Sequence, residues 1–220
     1  MFETVFKRIP SDPKLTSLTR LFAILIVLLM CAAVPAAAQQ GATAPARPNV
    51  TPPLTLTTPA FADGGTIPVK YSCAATTPPP GGRLHVSLGV SPPLHWSNVP
   101  AGTASFVLIL HDGDAHIAKA YDDIPHWVIF NIPGDATSLQ EGVPPDAPMT
   151  DGTAQGNNMM GRAAYQGPCA PPGAPHHYVF ELYALDKKLD LPNGASRADI
   201  EKAMDGHVLS GTMYVGLFKR

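Results

Sequence analysis

A chain of 220 residues that is 45% apolar and 15% charged can bury the core of one moderate domain, with a tail to spare. Its formal net charge of −2 gives no electrostatic ground for a nucleic-acid partner. Its 25 prolines work against long helices over most of the length and favour short strands joined by ordered turns.

The first segment is a targeting pattern. Lys7, Arg8, Lys14 and Arg20 precede the uncharged run LFAILIVLLMCAAVPAAA, which closes on small residues matching A-x-A at Ala36 to Ala38. A basic stretch, an apolar stretch and a small-residue end make residues 1–38 a secretory signal, and the expected location periplasmic or secreted. The competing reading is an uncleaved membrane anchor, because Leu21 to Ala38 is close to the length that spans a bilayer. A lipid anchor at Cys31 fits less well, since bulky Met30 precedes it. Residues 39–53, rich in Ala, Pro and Thr without apolar periodicity, read as a flexible linker. The folded domain is expected over 54–220.

Within that domain LTLTT from Leu54 and IPVKY from Ile67 read as short strands around the turn Asp63-Gly64-Gly65. Thr76 to Gly82 is a loop, and Leu84 to Val90 fits either a strand or a loop. SPPLHWSNVPAGT, from Ser91, reads as an irregular connection in which Trp96 fills the core rather than supporting a ligand. Phe106 to Leu110 and His126 to Ile132 are strands. Between them lies a loop carrying His111, Asp112, Asp114, His116, Asp122 and Asp123, the kind of polar set that a rigid scaffold presents as a site. Residues 134–175 form a long Gly- and Pro-rich loop, a length that points to function. His176 to Asp186 resumes a strand. SRADIEKAMDGHVLS, from Ser196, is the one helical pattern, with an N-cap pairing of Ser196 and Asp199 and with Ile200, Ala203, Met204, His207 and Val208 on one face. MYVGLF, from Met213, ends the domain as a strand.

The chemistry-bearing residues come from three stretches: Asp112 and Asp114, then His126, then His176, His177 and Tyr178. Each stretch borders a strand, an arrangement that suits a site at one rim of a sheet. An imidazole steadied by a carboxylate can donate to a phosphate oxygen, and a tyrosine hydroxyl can donate beside it. Asp112 would repel a bare anion, so it either orients a histidine or faces the positive end of a zwitterion. Two other readings stay open: partly buried histidines with purely structural partners, and two histidines with two aspartates as metal ligands. No G-x-S-x-G elbow, P-loop, dinucleotide fingerprint or H-E-x-x-H occurs. Cys73 and Cys169 are the two cysteines beyond the signal, and they are either a disulfide or two separate buried thiols.

Five stretches together resemble the phosphatidylethanolamine-binding protein family, in particular its bacterial branch similar to Raf kinase inhibitor protein. They are SPPLHW at 91–96, DGDA at 112–115, HWVIFNIP at 126–133, GPCAPPG at 167–173 and HHYVFELYALD at 176–186. The resemblance implies a mainly β fold with a large central antiparallel sheet, a smaller sheet and a few peripheral helices. It also implies a pocket for phosphate-like anions. The family's D-P-D motif falls on Asp112-Gly113-Asp114 and its first pocket histidine on His126. Its G-x-H-R-Y motif falls on Ala174 to Tyr178, which gives His176 and Tyr178 as ligand-binding residues and Gly167, Pro168, Pro171 and Pro172 as the wall. Gly113 and His116 stand where the family carries prolines, which implies a looser loop. His177 stands in place of an arginine, so any ion pair there becomes titratable. The segment between Cys73 and Ser91 is longer than the family pattern.

The expected function is binding without catalysis, metal or cofactor. The ligand would be a small phosphorylated or carboxylated anion or a lipid headgroup, with inhibition of a kinase or protease as a further role linked to the family. Membrane contact would come through the signal segment or lipid headgroups alone. The alternatives are a hydrolase or metalloenzyme built on the same His and Asp residues, and an interaction module whose working surface is the 76–90 segment.

Overall fold

The structure, a computed structural model, describes residues 52–75, 89–116, 123–146 and 148–220. The signal segment, nearly all of the 39–53 linker, the Thr76 to Gly82 loop, most of the Leu84 to Val90 stretch and Asp122 lie outside the described residues. In chain order the elements are β1 (Thr55–Thr57), β2 (Gly65–Thr66), a 3-10 turn (Val69–Tyr71), β3 (Leu94–Ser97), β4 (Ser105–His116) and β5 (Asp123–Pro133). There follow β6 (Ser138–Leu139), β7 (Ala154–Gly156), β8 (His176–Leu185), α1 (Arg197–Met204) and β9 (Val208–Phe218).

The strands form a six-stranded sheet in the order β2-β9-β8-β4-β5-β7 and a three-stranded sheet in the order β1-β3-β6. Pairing is antiparallel except at the edge, where β2 runs parallel to β9. The uninterrupted apolar run Phe106 to Leu110 is explained by position, because β4 lies in the middle of the large sheet and is buried on both faces. On one face Phe106, Leu108 and Leu110 join Trp127, Ile129, Phe180 and Leu182 and pack against Leu56, Leu94, Trp96 and Leu139 of the small sheet. On the other, Val107, Ile109, Val128 and Phe130 pack against Ile200 and Met204 of α1. Each such side chain contributes roughly 1.5–3 kcal/mol of burial. Trp96 fills the core as expected, and its indole N–H donates to the Ala136 carbonyl at 2.8 Å.

Several local expectations give way. IPVKY is not a strand: Ile67 still donates to Leu217, but Pro68 has no N–H, and Tyr71 N–H donates back to the Pro68 carbonyl at 2.9 Å to close a 3-10 turn. The connection from Ser91 contains β3, whose alternation of Leu94 and Trp96 inward with His95 and Ser97 outward is masked in the sequence by flanking prolines. The charged loop after Leu110 is shorter than expected, because β4 continues to His116 and β5 begins at Asp123. The long segment 134–175 contains β6 and β7.

The helix begins where its cap predicts, with Ser196 Oγ accepting from Asp199 N–H at 3.1 Å. It stops at Met204, because Gly206 adopts φ 77° and turns the chain. His207 and Val208 therefore lie outside it, and the final strand starts at Val208 rather than Met213. Where a few peripheral helices were expected, the described residues hold one α-helix and one 3-10 turn.

Candidate functional site

Strand alternation and one irregularity bring the site together. Along β4 even-numbered residues face the small sheet, which places Asp112 on that side, and Tyr178 lies opposite it in the β4–β8 register. His126 lies on β5 next to Trp127, so regular alternation would send the two to opposite faces. The register, however, passes from Leu110 opposite Trp127 directly to His111 opposite Pro125. His126 is the extra residue of a β-bulge, and this re-aims its ring beside that of Trp127 on the Tyr178 face.

The result is a compact group. His176 Nδ1–H donates to the Asp112 carboxylate at 2.8 Å, and Asp112 is almost fully buried. His126 and Tyr178 meet edge to face with centroids 5.2 Å apart. His126 Nδ1–H donates to the Gln166 carbonyl at 3.0 Å, and Gln166 N–H returns a bond to the His126 carbonyl at 2.9 Å. Tyr178 Oη accepts from Cys169 N–H at 3.1 Å. Burial pushes the Tyr178 phenol up, and the nearby Asp112 charge adds to this, so the hydroxyl keeps its proton. Burial also pushes the His126 imidazole down, which favours the neutral ring.

Of the other expected residues, Gly167 and Pro168 are buried beside this group, whereas Pro171 and Pro172 are exposed on the outer part of their segment. The residues that make the wall's contacts are Gln166, Cys169 and Ala170, whose carbonyl accepts from Arg220 Nε at 2.9 Å. Cys73 and Cys169 are joined in a disulfide with Cα atoms 5.3 Å apart, which ties the wall to the turn after Tyr71.

Asp114 does not join the group. Its carboxylate accepts from His177 N–H and from His177 Nδ1–H at 2.8 Å, and the backbone donor in particular holds the carboxyl below its usual range. The position that carries arginine in the resembling motif thus still supports the loop, through an imidazole. Asp112 Oδ1 also accepts from Asp114 N–H at 3.0 Å, which steadies the chain across Gly113 without a proline.

A second polar group lies on the opposite face. His111 Nδ1 rests against the Asp123 carboxylate and Nε2 lies 3.7 Å from Glu181 Oε2. Both ring nitrogens are buried, each facing a carboxylate without a well-aligned hydrogen bond. Arg197, at the start of α1, pairs with Asp123 and, at 2.6 Å, with Glu201. Burial alone would push the His111 imidazole down, but the Glu181 and Asp123 carboxylates outweigh it and the net shift is upward. In the sequence His111 and Asp123 belong to the same charged stretch as Asp112, and Glu181 and Arg197 carry no mark of a shared role. The odd-even parity of the strands was the available signal. A cleft of about 290 Å³ lined by Ile109, Tyr183, Glu201 and Met204 also opens on this face, away from the four converging side chains. Among the described residues no group of three or more His, Cys, Asp or Glu side chains is arranged to hold a metal ion.

Comparison with known proteins gives one consistent result. A family model described as phosphatidylethanolamine-binding protein matches residues 57–219. The chain is 44% identical over 167 residues to a UPF0098 protein of Methanothermobacter thermautotrophicus, covering 76% of this chain and 99% of the relative. It is 36% identical over 187 residues to LppC of Mycobacterium tuberculosis, a protein whose given name marks it as a candidate lipoprotein, covering 84% and 81%. Among solved structures, the phosphatidylethanolamine-binding protein homologue CT736 of Chlamydia trachomatis matches with a TM-score of 0.63 at 33% identity, covering 76% of this chain and 98% of that one.

Proposed function

Because the chain belongs to the phosphatidylethanolamine-binding protein family, we propose that it is a binding protein rather than an enzyme, and that it holds a small phosphate-like anion, free or as a lipid headgroup, at Asp112, His126, His176 and Tyr178. The observation that carries this reading is the convergence of those four side chains, with Asp112 engaged by His176 rather than left bare toward a ligand. A carboxylate so engaged is a positioning group for an imidazole, which removes the main objection to an anion beside it. None of the four is a nucleophile activated by an adjacent base, and Cys169 is committed to its disulfide.

A location outside the cytoplasm belongs to the same reading. It rests on the signal pattern of residues 1–38, on a disulfide that persists in oxidising compartments, and on the name of the mycobacterial relative. Calorimetry with phosphate, phosphoethanolamine and acetate tests the binding claim. Wild type should give heat with the phosphate-bearing probes, and His126→Ala should weaken that binding by roughly tenfold or more, the worth of one lost charge-assisted contact. No heat from wild type with any probe, or an unchanged affinity in the variant, would overturn it.

A further inference from the structure

The hydrogen bonds inside the site restrict what it can offer an anion. His126 and His176 each spend Nδ1–H on an acceptor within the protein, the Gln166 carbonyl in one case and the Asp112 carboxylate in the other. A neutral imidazole carries one N–H, so each ring in its neutral form retains only a lone pair at Nε2. A fully ionised anion presents only lone pairs as well. Tyr178 adds little, because its oxygen already accepts from Cys169 N–H and its proton lies next to Asp112. The titratable and charged groups that face the two rings are Asp112 from β4, His111 behind it on the opposite face and Asp114 beside His176.

We propose that the site takes a phosphate-like anion together with a proton, which lies between an oxygen of the anion and Nε2 of His126, the ring whose Nδ1–H is spent on the Gln166 carbonyl. This inference rests on the anion reading given above. The balance is simple: the complex holds one proton between ligand and ring, and no bond to phosphorus or carbon changes. Its source depends on the ligand. An anion with no proton of its own draws one from solvent onto a ring, whereas monohydrogen phosphate brings one and donates it to a bare Nε2. The favoured ligand class is therefore an anion that still carries an acidic proton, and a fully ionised one binds only as the medium becomes more acidic.

Inorganic sulfate and inorganic phosphate separate these cases in titration calorimetry, run in buffers of differing ionisation heat between about pH 6.5 and about pH 8.5, the alkaline side of the ordinary imidazole range. Sulfate binding should take up about one proton from the buffer and weaken roughly tenfold per pH unit, the linkage expected for one proton. Monohydrogen phosphate should take up far less and still bind at the alkaline end. In His126→Gln an amide N–H₂ donates without gaining a proton, so uptake with sulfate should fall. Sulfate bound without proton uptake and as tightly at the alkaline end as phosphate would overturn the inference while leaving the anion reading intact, as would uptake that persists in His126→Gln. No binding of either anion across the range would overturn the anion reading itself, and this inference with it.

Discussion

His111 and Asp112 are consecutive residues of β4, yet they serve two differently built regions. Asp112 turns to the small-sheet face, where the polar groups are fastened by directed hydrogen bonds among a carboxylate, two histidines, a tyrosine and backbone atoms, with a disulfide behind them. His111 turns to the helix face, where Asp123, Glu181 and Arg197 surround it with charge, and Arg197 is paired in turn with Asp123 and Glu201. One region fixes geometry and leaves ring nitrogens unspent. The other spends its charges internally, clamping the start of α1 to β4, β5 and β8. The two regions nevertheless look alike as a run of His and Asp in the sequence.

The sharpest way to break the contrast is to cut the disulfide. Replacing Cys73 and Cys169 together by Ser should cost about 2–4 kcal/mol, the usual range for a native bridge closing a long loop. Because Cys169 N–H rests on Tyr178 Oη, anion affinity should fall with stability. Thermal melts and phosphate titrations of the double variant measure both, and a melting temperature equal to wild type would mean that the bridge does not hold the wall.

A second test uses opposite proton linkage. His111 has a raised value, so its contribution is complete below the ordinary imidazole value of about 6.5 and is lost as pH rises through the higher folded value. His126 has a lowered value, so the folded protein resists charging that ring, and stability is lost as pH falls below about 6.5 toward the folded value. His111→Gln leaves Asp123 and Glu181 without their shared cation and should cost about 1–3 kcal/mol near pH 6, and less on the alkaline side. His126→Gln should instead flatten the acid limb. Urea denaturation of both variants from about pH 5 to about pH 9 reads this directly. Parallel profiles for the two variants would show that the two histidines are not in distinct environments.

Much of this organisation was legible in the sequence, for physical reasons. The apolar run from Phe106 to Leu110 and the aromatic run after His176 identified the central strands, because burial on both faces demands such composition. Ser196 and Asp199 placed the start of the helix through cap chemistry that is local to four residues. The family resemblance supplied Asp112, His126, His176 and Tyr178, and these four do converge. What escaped depends on register. A bulge at His126 leaves no local mark, since the extra residue exists only relative to β4, and without it the ring would have been assigned to the helix face. The same blindness merged His111 and Asp123 with Asp112. Glu181, a lone carboxylate within an aromatic strand, had no apparent partner until β4 and β8 were paired, and Arg197 until α1 was docked. Pro168 and Pro171 carried equal weight as wall residues, yet one is buried and the other exposed, a difference that only the path of the segment decides.

The smallest expected effect concerns the stiffness of the chain between the two regions. Gly113 stands where the family pattern has proline, and a looser loop was the natural expectation. Its backbone is not in the left-handed region, and an added Cβ would meet only the His177 carbonyl oxygen at 3.7 Å and Val179 Cγ2 at 3.9 Å, ordinary contact distances. Asp112 and His177 already hold Asp114 from both sides. Ala at this position therefore adds no strain to the folded state and removes conformations from the unfolded one, so Gly113→Ala should stabilise by about 0.4–1 kcal/mol. Anion affinity should stay near wild type, because the contacts of Asp112 with His176 are already made in the free protein. A stability gain with a clear rise in affinity would instead mean that the Asp112 turn is unformed without ligand, and that the small-sheet region owes its directed hydrogen bonds to the anion rather than to the fold.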